Sequence, residues 1–246
     1  MKELVGYITA GFPSVSFSVD LALSMKDAGV DKLELGIPFS DPVADGPVIE
    51  LANLKALQNG FKIQNLLDIS SKISSNIDTF WMGYFNSFYH KGFESFTCKA
   101  HELGVKGFII PDLPLEEAKV YAKQVVAKDM SLISFVAPTD SRPRVRELVS
   151  DAKGFIYLVA YAGITGSGAS EDLSGIISSI KEYSKTPVFV GFGVDEKSAK
   201  EKAEGVDGVI VGSAFVKVLL DDTISDTQKI KSICEKARII KEKINA

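Results

Sequence analysis

Cysteine is scarce in this chain, at 2 of 246 residues. Two thiols cannot build a disulfide scaffold, so a reducing compartment is the expected setting. Histidine is as rare, also 2, and no Cys/His/Asp spacing has the form of a metal site. An excess of one charge is missing as well. The 28 basic residues nearly balance 32 acidic ones, for a net charge of −4, which leaves no broad cationic surface for nucleic acid. The longest apolar run, residues 155–164, is far too short to cross a bilayer. The first residues carry no apolar export segment with a cleavage site. No Pro/Ser-rich linker, charge block or low-complexity tract divides the chain. These absences predict a soluble, cytoplasmic protein in which residues 1–246 form one domain, with no metal, membrane or nucleic acid in its work.

What is present is a repeat. Ala28-Gly29-Val30-Asp31-Lys32-Leu33-Glu34-Leu35, Leu103-Gly104-Val105-Lys106-Gly107-Phe108-Ile109-Ile110 and Glu204-Gly205-Val206-Asp207-Gly208-Val209-Ile210-Val211 share one layout. A helical stretch is stopped by glycine, and after a short turn comes an apolar run of the kind that forms a buried parallel strand. The same template predicts strands at 5–9, 32–36, 79–84, 107–110, 131–136, 155–159, 188–191 and 209–212, with amphipathic helices between them. Ile230, Ile233, Cys234, Ala237 and Ile244 share one face of the last helix. Eight βα units in this length predict a (β/α)8 TIM barrel, a fold of typically about 250 residues. An open doubly wound sheet would more often carry fewer strands.

In such a barrel the chemistry projects from the C-terminal ends of the strands. Alternation in the second strand turns Leu33 and Leu35 toward the helices and Glu34 toward the axis. An inward carboxyl among apolar neighbours is either paired, for instance with a barrel lysine, or kept protonated and ready for proton transfer. The next loop, stiffened by Pro38, Pro42 and Pro47, holds Asp41 and Asp45. Asp45 is a candidate acid–base group and equally a candidate N-cap for the helix that Pro47 opens. Asp112 reads as a loop cap or a partner of the site. His90 and His101 fall in helical stretches, away from any strand end, and Cys98 and Cys234 read as small packing residues.

Phosphate is the second signal. The loops after strands seven and eight, Gly191-Phe192-Gly193 and Gly212-Ser213-Ala214, have the form of a barrel phosphate site, in which backbone N–H groups approach the anion. The glycine-rich stretch 162–168 supplies a third loop that can donate to phosphate and close as a lid. A P-loop, a nucleophile elbow and a strand-end lysine for Schiff-base chemistry are all lacking, which favours acid–base catalysis by carboxylates.

The chain resembles the α subunit of tryptophan synthase. The likeness is carried by Tyr7-Ile8-Thr9-Ala10-Gly11-Phe12-Pro13, by Glu34-Leu35-Gly36-Ile37-Pro38-Phe39-Ser40-Asp41-Pro42 with Ala44-Asp45-Gly46-Pro47, and by Gly208-Val209-Ile210-Val211-Gly212-Ser213-Ala214. It continues through Tyr84-Phe85-Asn86, Ala137-Pro138-Thr139 and Phe155-Ile156-Tyr157-Leu158-Val159. The resemblance implies a lyase that cleaves indole-3-glycerol phosphate to indole and glyceraldehyde 3-phosphate in tryptophan biosynthesis. It implies an αββα complex with a β subunit that carries pyridoxal phosphate, this chain itself needing no cofactor. It assigns catalysis to Glu34, Asp45 and Tyr157, and phosphate binding to Gly166, Gly193, Gly212 and Ser213. Phe12, Tyr84, Ile109 and Phe192 would line an indole pocket, and Asp41 would face the partner. Two features depart from many family members: the chain starts almost directly at strand one, without an extra N-terminal helix, and Tyr161 stands where arginine is common. Two rival readings are another phosphate-binding barrel enzyme, such as a sugar-phosphate isomerase, and a catalytically weak barrel acting mainly as activator of the β subunit.

Overall fold

The computed structural model describes residues 1–159 and 173–246. Elements follow in the order β1 (Glu3–Thr9), α1 (Val15–Asp27), β2 (Lys32–Gly36), α2 (Pro47–Gln58), α3 (Ile63–Ile73), β3 (Asp78–Met82), α4 (Phe85–Tyr89), α5 (Phe93–Glu102), β4 (Gly107–Ile109) and α6 (Leu115–Val126). Then come β5 (Ser131–Leu132), β6 (Ser134–Val136), α7 (Arg142–Val149), β7 (Ile156–Val159), α8 (Ser174–Tyr183), β8 (Val188–Gly191), α9 (Ala199–Lys202), β9 (Gly208–Val211), α10 (Ser213–Leu219) and α11 (Asp226–Ile244). Every strand pairing is parallel, in the order β5-β4-β3-β2-β1-β9-β8-β7-β6. The two ends of that order, β5 and β6, are halves of one extended segment broken only at Ile133, whose N–H still donates to Phe108 at 2.9 Å. Joined there, the sheet closes into the eight-position barrel that the sequence predicts.

The repeated helix-to-strand joint has the geometry its glycines imply. Gly29, Gly104 and Gly205 have φ of 96°, 78° and 73°, a region closed to most side chains. The residue after each of the first two donates back into its helix, Val30 to Met25 and Val105 to Ala100, both at 3.0 Å, which ends the helix and aims the next strand. Strand alternation then sorts side chains into two shells. Leu4, Ile8, Leu33, Leu35, Trp81 and Phe108 face the helices, whereas Val5, Phe80, Ile109, Ile133, Phe155, Tyr157, Phe189 and Ile210 fill the barrel. The N-terminal face is held by polar contacts. Lys32 pairs with Glu3, and Asp31 accepts from Leu4 N–H and the Lys241 ammonium, both at 2.6 Å. Asn245, just past α11, accepts from Lys2 N–H at 2.7 Å.

Eight strands' worth of inward side chains cannot all be large, and glycine makes the room. A Cβ at Gly191 would stand 2.4 Å from both Cε1 and the hydroxyl oxygen of Tyr157, and one at Gly36 would stand 2.2 Å from the hydroxyl oxygen of Tyr7. Both tyrosine rings therefore reach over a glycine of the neighbouring strand. Gly191→Ala is expected to lower unfolding free energy by about 1–3 kcal/mol, the usual cost of overpacking a core. Urea denaturation checks this, and unchanged stability would contradict the ring placement.

Candidate active site

Glu34 sits midway along β2, flanked in register by Tyr7 of β1 and Phe80 of β3. It is 2% exposed, and its Oε1 has no hydrogen-bond partner among the described residues. The lysine-pairing alternative is not realised, since Lys32, the inward lysine of the same strand, bonds Glu3 instead. Burial first, and then the negative charge of Asp45, push the Glu34 carboxyl up from 4.5 to about 8. It is therefore neutral at pH 7, as an isolated carboxyl in an apolar wall must be.

Asp45 is placed by a loop. The N-cap of α2 is Gly46, with no side-chain cap, so the capping role open to Asp45 in the sequence falls away. Its carboxylate instead accepts from Asn53 Nδ2 at 3.2 Å and from the Tyr84 hydroxyl. The same Tyr84 oxygen accepts the Ala44 N–H at 2.9 Å, and Phe39 stacks on the Tyr84 ring at 5.2 Å. Asp112, from the loop after β4, braces the neighbouring chain, its Oδ1 accepting from Phe85 N–H at 2.8 Å at the start of α4, directly after Tyr84. Burial raises the Asp45 carboxyl from 3.8 to about 6, against the pull of the Tyr84 and Asn53 hydrogen bonds.

Other expected site residues divide by position. Tyr157 projects inward from β7, stacked on Phe135 at 5.0 Å and met edge-on by Phe192 at 6.3 Å. Burial and then the charges of Glu34 and Asp45 hold its hydroxyl well above its ordinary pKa. Ile109 joins this interior set. Phe12 does not; it is buried in the larger apolar cluster with Phe17 of α1 and Leu66 of α3. Gly193 and Ser213 meet in a cleft of about 490 Å³ that Lys217 and Lys236 also line, and Gly212 is the N-cap of α10. Asp41 is exposed on the rim and accepts from Ser40 Oγ. Gly166 and Tyr161 lie outside the described residues. His90 and His101 are exposed on or beside helices, and the described residues bring no three His, Cys, Asp or Glu side chains together as a metal site would. The sequence reading passed over Tyr7 and Asn53. Alternation along β1, which puts Val5, Tyr7 and Thr9 on one face, carried the signal for the first; nothing local marked the second.

Fold and site together define a class: a (β/α)8 barrel whose C-terminal face carries two carboxyls, a buried one set by a strand and a half-buried one set by a clamped loop. The sequence model described as tryptophan synthase alpha chain matches residues 1–245. The tryptophan synthase alpha chain of Wolinella succinogenes is 55% identical over 247 residues, spanning 100% of this chain and 97% of that relative. That of Alkaliphilus metalliredigens is 37% identical, spanning 96% and 91%. Among solved structures, the alpha subunit from Campylobacter jejuni is similar at a TM-score of 0.87 and 33% identity, over 96% of this chain and 95% of that one. A structure of the tryptophan synthase a2b2 complex from Pyrococcus furiosus, described in terms of mutual activation, gives 0.87 and 29%, over 98% and 99%. This chain belongs to the tryptophan synthase alpha chain family.

The raised carboxyl of Glu34 has a consequence for stability. A folded-state pKa above the unfolded one means that the contribution to stability is full below pH 4.5 and lost as pH rises through about 8. Glu34→Gln, which mimics the neutral acid, should therefore match the wild type near pH 4.5. By pH 8 it should exceed it by an amount on the order of a few kcal/mol. Thermal unfolding across that window checks the sign, and a variant less stable at pH 8 would contradict it.

Proposed function

We propose that this chain cleaves indole-3-glycerol phosphate by a retro-aldol reaction, releasing indole and glyceraldehyde 3-phosphate. The observation that carries the reading is the pair of carboxyls whose surroundings push them apart, Glu34 to about 8 and Asp45 to about 6. Between those values one is an acid and the other a base, the division of labour that acid–base catalysis at neutral pH needs. Glu34 gives its proton to carbon 3 of the indole ring, while Asp45 accepts the ring N–H and stabilises the positive charge that develops there. The bond from carbon 3 to the glycerol chain then breaks. Its electron pair returns to the indole ring, the hydroxyl-bearing carbon becomes a carbonyl, and the hydroxyl proton passes to Glu34, restoring the acid. Tyr157, kept protonated, hydrogen-bonds the glycerol hydroxyl. Ile109 and Phe192 form apolar wall, whereas Tyr84 serves chiefly to hold Asp45.

The phosphate is assigned to Gly193, Gly212 and Ser213, with Gly166 completing the loop set. First-turn N–H groups of a helix have no partner within it, and Gly212 and Ser213 open α10. None of these steps calls for a cofactor in this chain; pyridoxal phosphate belongs to the β subunit. Membership of the family supports that partner, and the complex from Pyrococcus furiosus gives the precedent. Asp41, exposed on the loop that carries Asp45, would meet a basic group of the β subunit. Closure of that end would exclude water and strengthen the carboxyl contacts.

Indole release, measured with and without β subunit, tests the reading. Activity should follow a bell with limbs near pH 6 and pH 8. Glu34→Gln should lose about 10²-fold or more in turnover, and Asp41→Ala should keep the basal rate but lose the gain from the partner. Near-wild-type release by Glu34→Gln would overturn the catalytic assignment. Absence of turnover in wild type, with the β subunit still activated, would favour the activator reading.

A further inference from the structure

Ser198 stands at the N-cap of α9, yet its side chain does not cap that helix, the ordinary work of serine in this place. Its Oγ reaches back five residues and donates to the Gly193 carbonyl at 2.8 Å. The reciprocal bonds of a capping box lie one turn earlier instead. Asp195 Oδ1 accepts the N–H groups of Lys197 and Ser198 at 2.8 and 2.9 Å, and Ser198 Oγ accepts the Asp195 N–H at 3.0 Å. The usual partner in the last place of such a box is glutamate or glutamine. A glutamate there has no proton to give, whereas serine has one. Asp195 Oδ1 lies 3.1 Å from the Ser198 oxygen but already takes two N–H groups, so the proton goes to Gly193.

Gly193 is where the chain needs holding. Phe192 has a φ of 73° and Gly193 of 68°, two successive left-handed residues, a conformation that glycine adopts freely and phenylalanine rarely. Phe192 is 40% exposed, so burial does not impose it. Before the turn, Gly191 ends β8 close against the Tyr157 ring. After it, Val194 is buried among the helix-facing side chains. Glu196 is tied to α11, its carbonyl accepting from Lys243 Nζ at 2.6 Å and its carboxylate pairing with Lys236. Both flanks are fixed, and the Ser198 bond sets the peptide between them.

We infer that Ser198 is a positioning residue for the phosphate pole: its hydroxyl, by holding the Gly193 carbonyl, keeps the 192–193 turn in the form that binds the anion. The inference rests on the assignment of phosphate to Gly193 and Ser213 above, which share one cleft. Backbone N–H groups bind an anion well only when they already converge on it. A loop that spends part of its time in other conformations loses affinity in proportion. The same turn carries Phe192, whose ring meets Tyr157 edge-on at 6.3 Å. One hydroxyl thus keeps an anion donor and an apolar wall residue in place together.

Ser198→Ala removes the donor and leaves Gly193 itself untouched. Inorganic phosphate, titrated into the full chain in a calorimeter, should bind about three- to tenfold more weakly, the scale of one hydrogen bond. The KM for indole-3-glycerol phosphate should rise by a similar factor while kcat stays the same, the signature of lost uniform binding. Ser198→Thr, which keeps the hydroxyl, should restore both. A serine of purely structural use would lower the melting temperature of the alanine variant without moving its phosphate affinity, and that result would overturn the inference. A weakening that threonine does not reverse, or a fall in kcat at constant KM, would overturn it too. If phosphate binds the wild type and binds the alanine variant less tightly, but neither releases indole, the positioning role stands and the proposed cleavage falls. Equal phosphate affinity in the two proteins, with cleavage intact, overturns the inference alone. A wild type that binds no phosphate overturns it together with the phosphate assignment.

Discussion

The upper half of this barrel is organised around a carboxyl buried without a counter-ion. Water would solvate Glu34 if it could reach it, and a lysine would neutralise it. Among the described residues the fold supplies neither, Glu34 being 2% exposed and Lys32 engaged by Glu3. One pleat below, the inward lysine of the same strand is held by Glu3 at the N-terminal face, and its ammonium lies over the Phe189 ring, 5.9 Å from the centroid. Between that face and the site stand Val5, Phe80, Phe155 and Ile210, all buried. The barrel thus keeps its permanent charges at the floor and an apolar plug in the middle. Glu34, the strand-borne acid above it, is driven to hold its proton.

The second carboxyl differs because it is delivered by a loop. Residues 38–47 are braced by proline and pinned by Tyr84, two residues past the end of β3, whose hydroxyl meets both the Ala44 N–H and the Asp45 side chain. Asp112, beyond β4, in turn fixes the chain just after Tyr84. Three successive strand ends therefore converge on Asp45. Hydrogen bonds from Tyr84 and Asn53 offset part of its burial, so that it titrates lower than Glu34. Two like groups close together acquire unlike states because one is walled by apolar side chains and the other is given donors.

Much of this was legible beforehand. Period-two alternation in Lys32–Gly36 suffices to send Glu34 inward, and the glycine that stops each helix marks where the next strand begins. The break at Ile133 was not legible, because 131–136 reads as one apolar run and the interruption depends on two different neighbours, β4 and β7. Strand three was expected to reach Tyr84 but ends at Met82, Tyr84 becoming the N-cap of α4. Asp45 illustrates the larger limit. An acidic residue before Gly-Pro satisfies the local rule for an N-cap, and only tertiary contacts, from Asn53 on α2 and Tyr84 after β3, direct it elsewhere. Likewise Lys229, on the expected apolar face of α11, is buried by bonding the Leu219 carbonyl at the end of α10 at 2.9 Å, a pairing no periodicity reveals.

The account turns on Glu34 and Asp45 holding opposite protonation states at the same pH. Neutron diffraction from crystals of this chain, exchanged into heavy water at pH 7, observes those protons directly. The account predicts a deuteron on the Glu34 carboxyl and none on Asp45. Density for a deuteron on Asp45 with a bare Glu34, or two bare carboxylates, would contradict it.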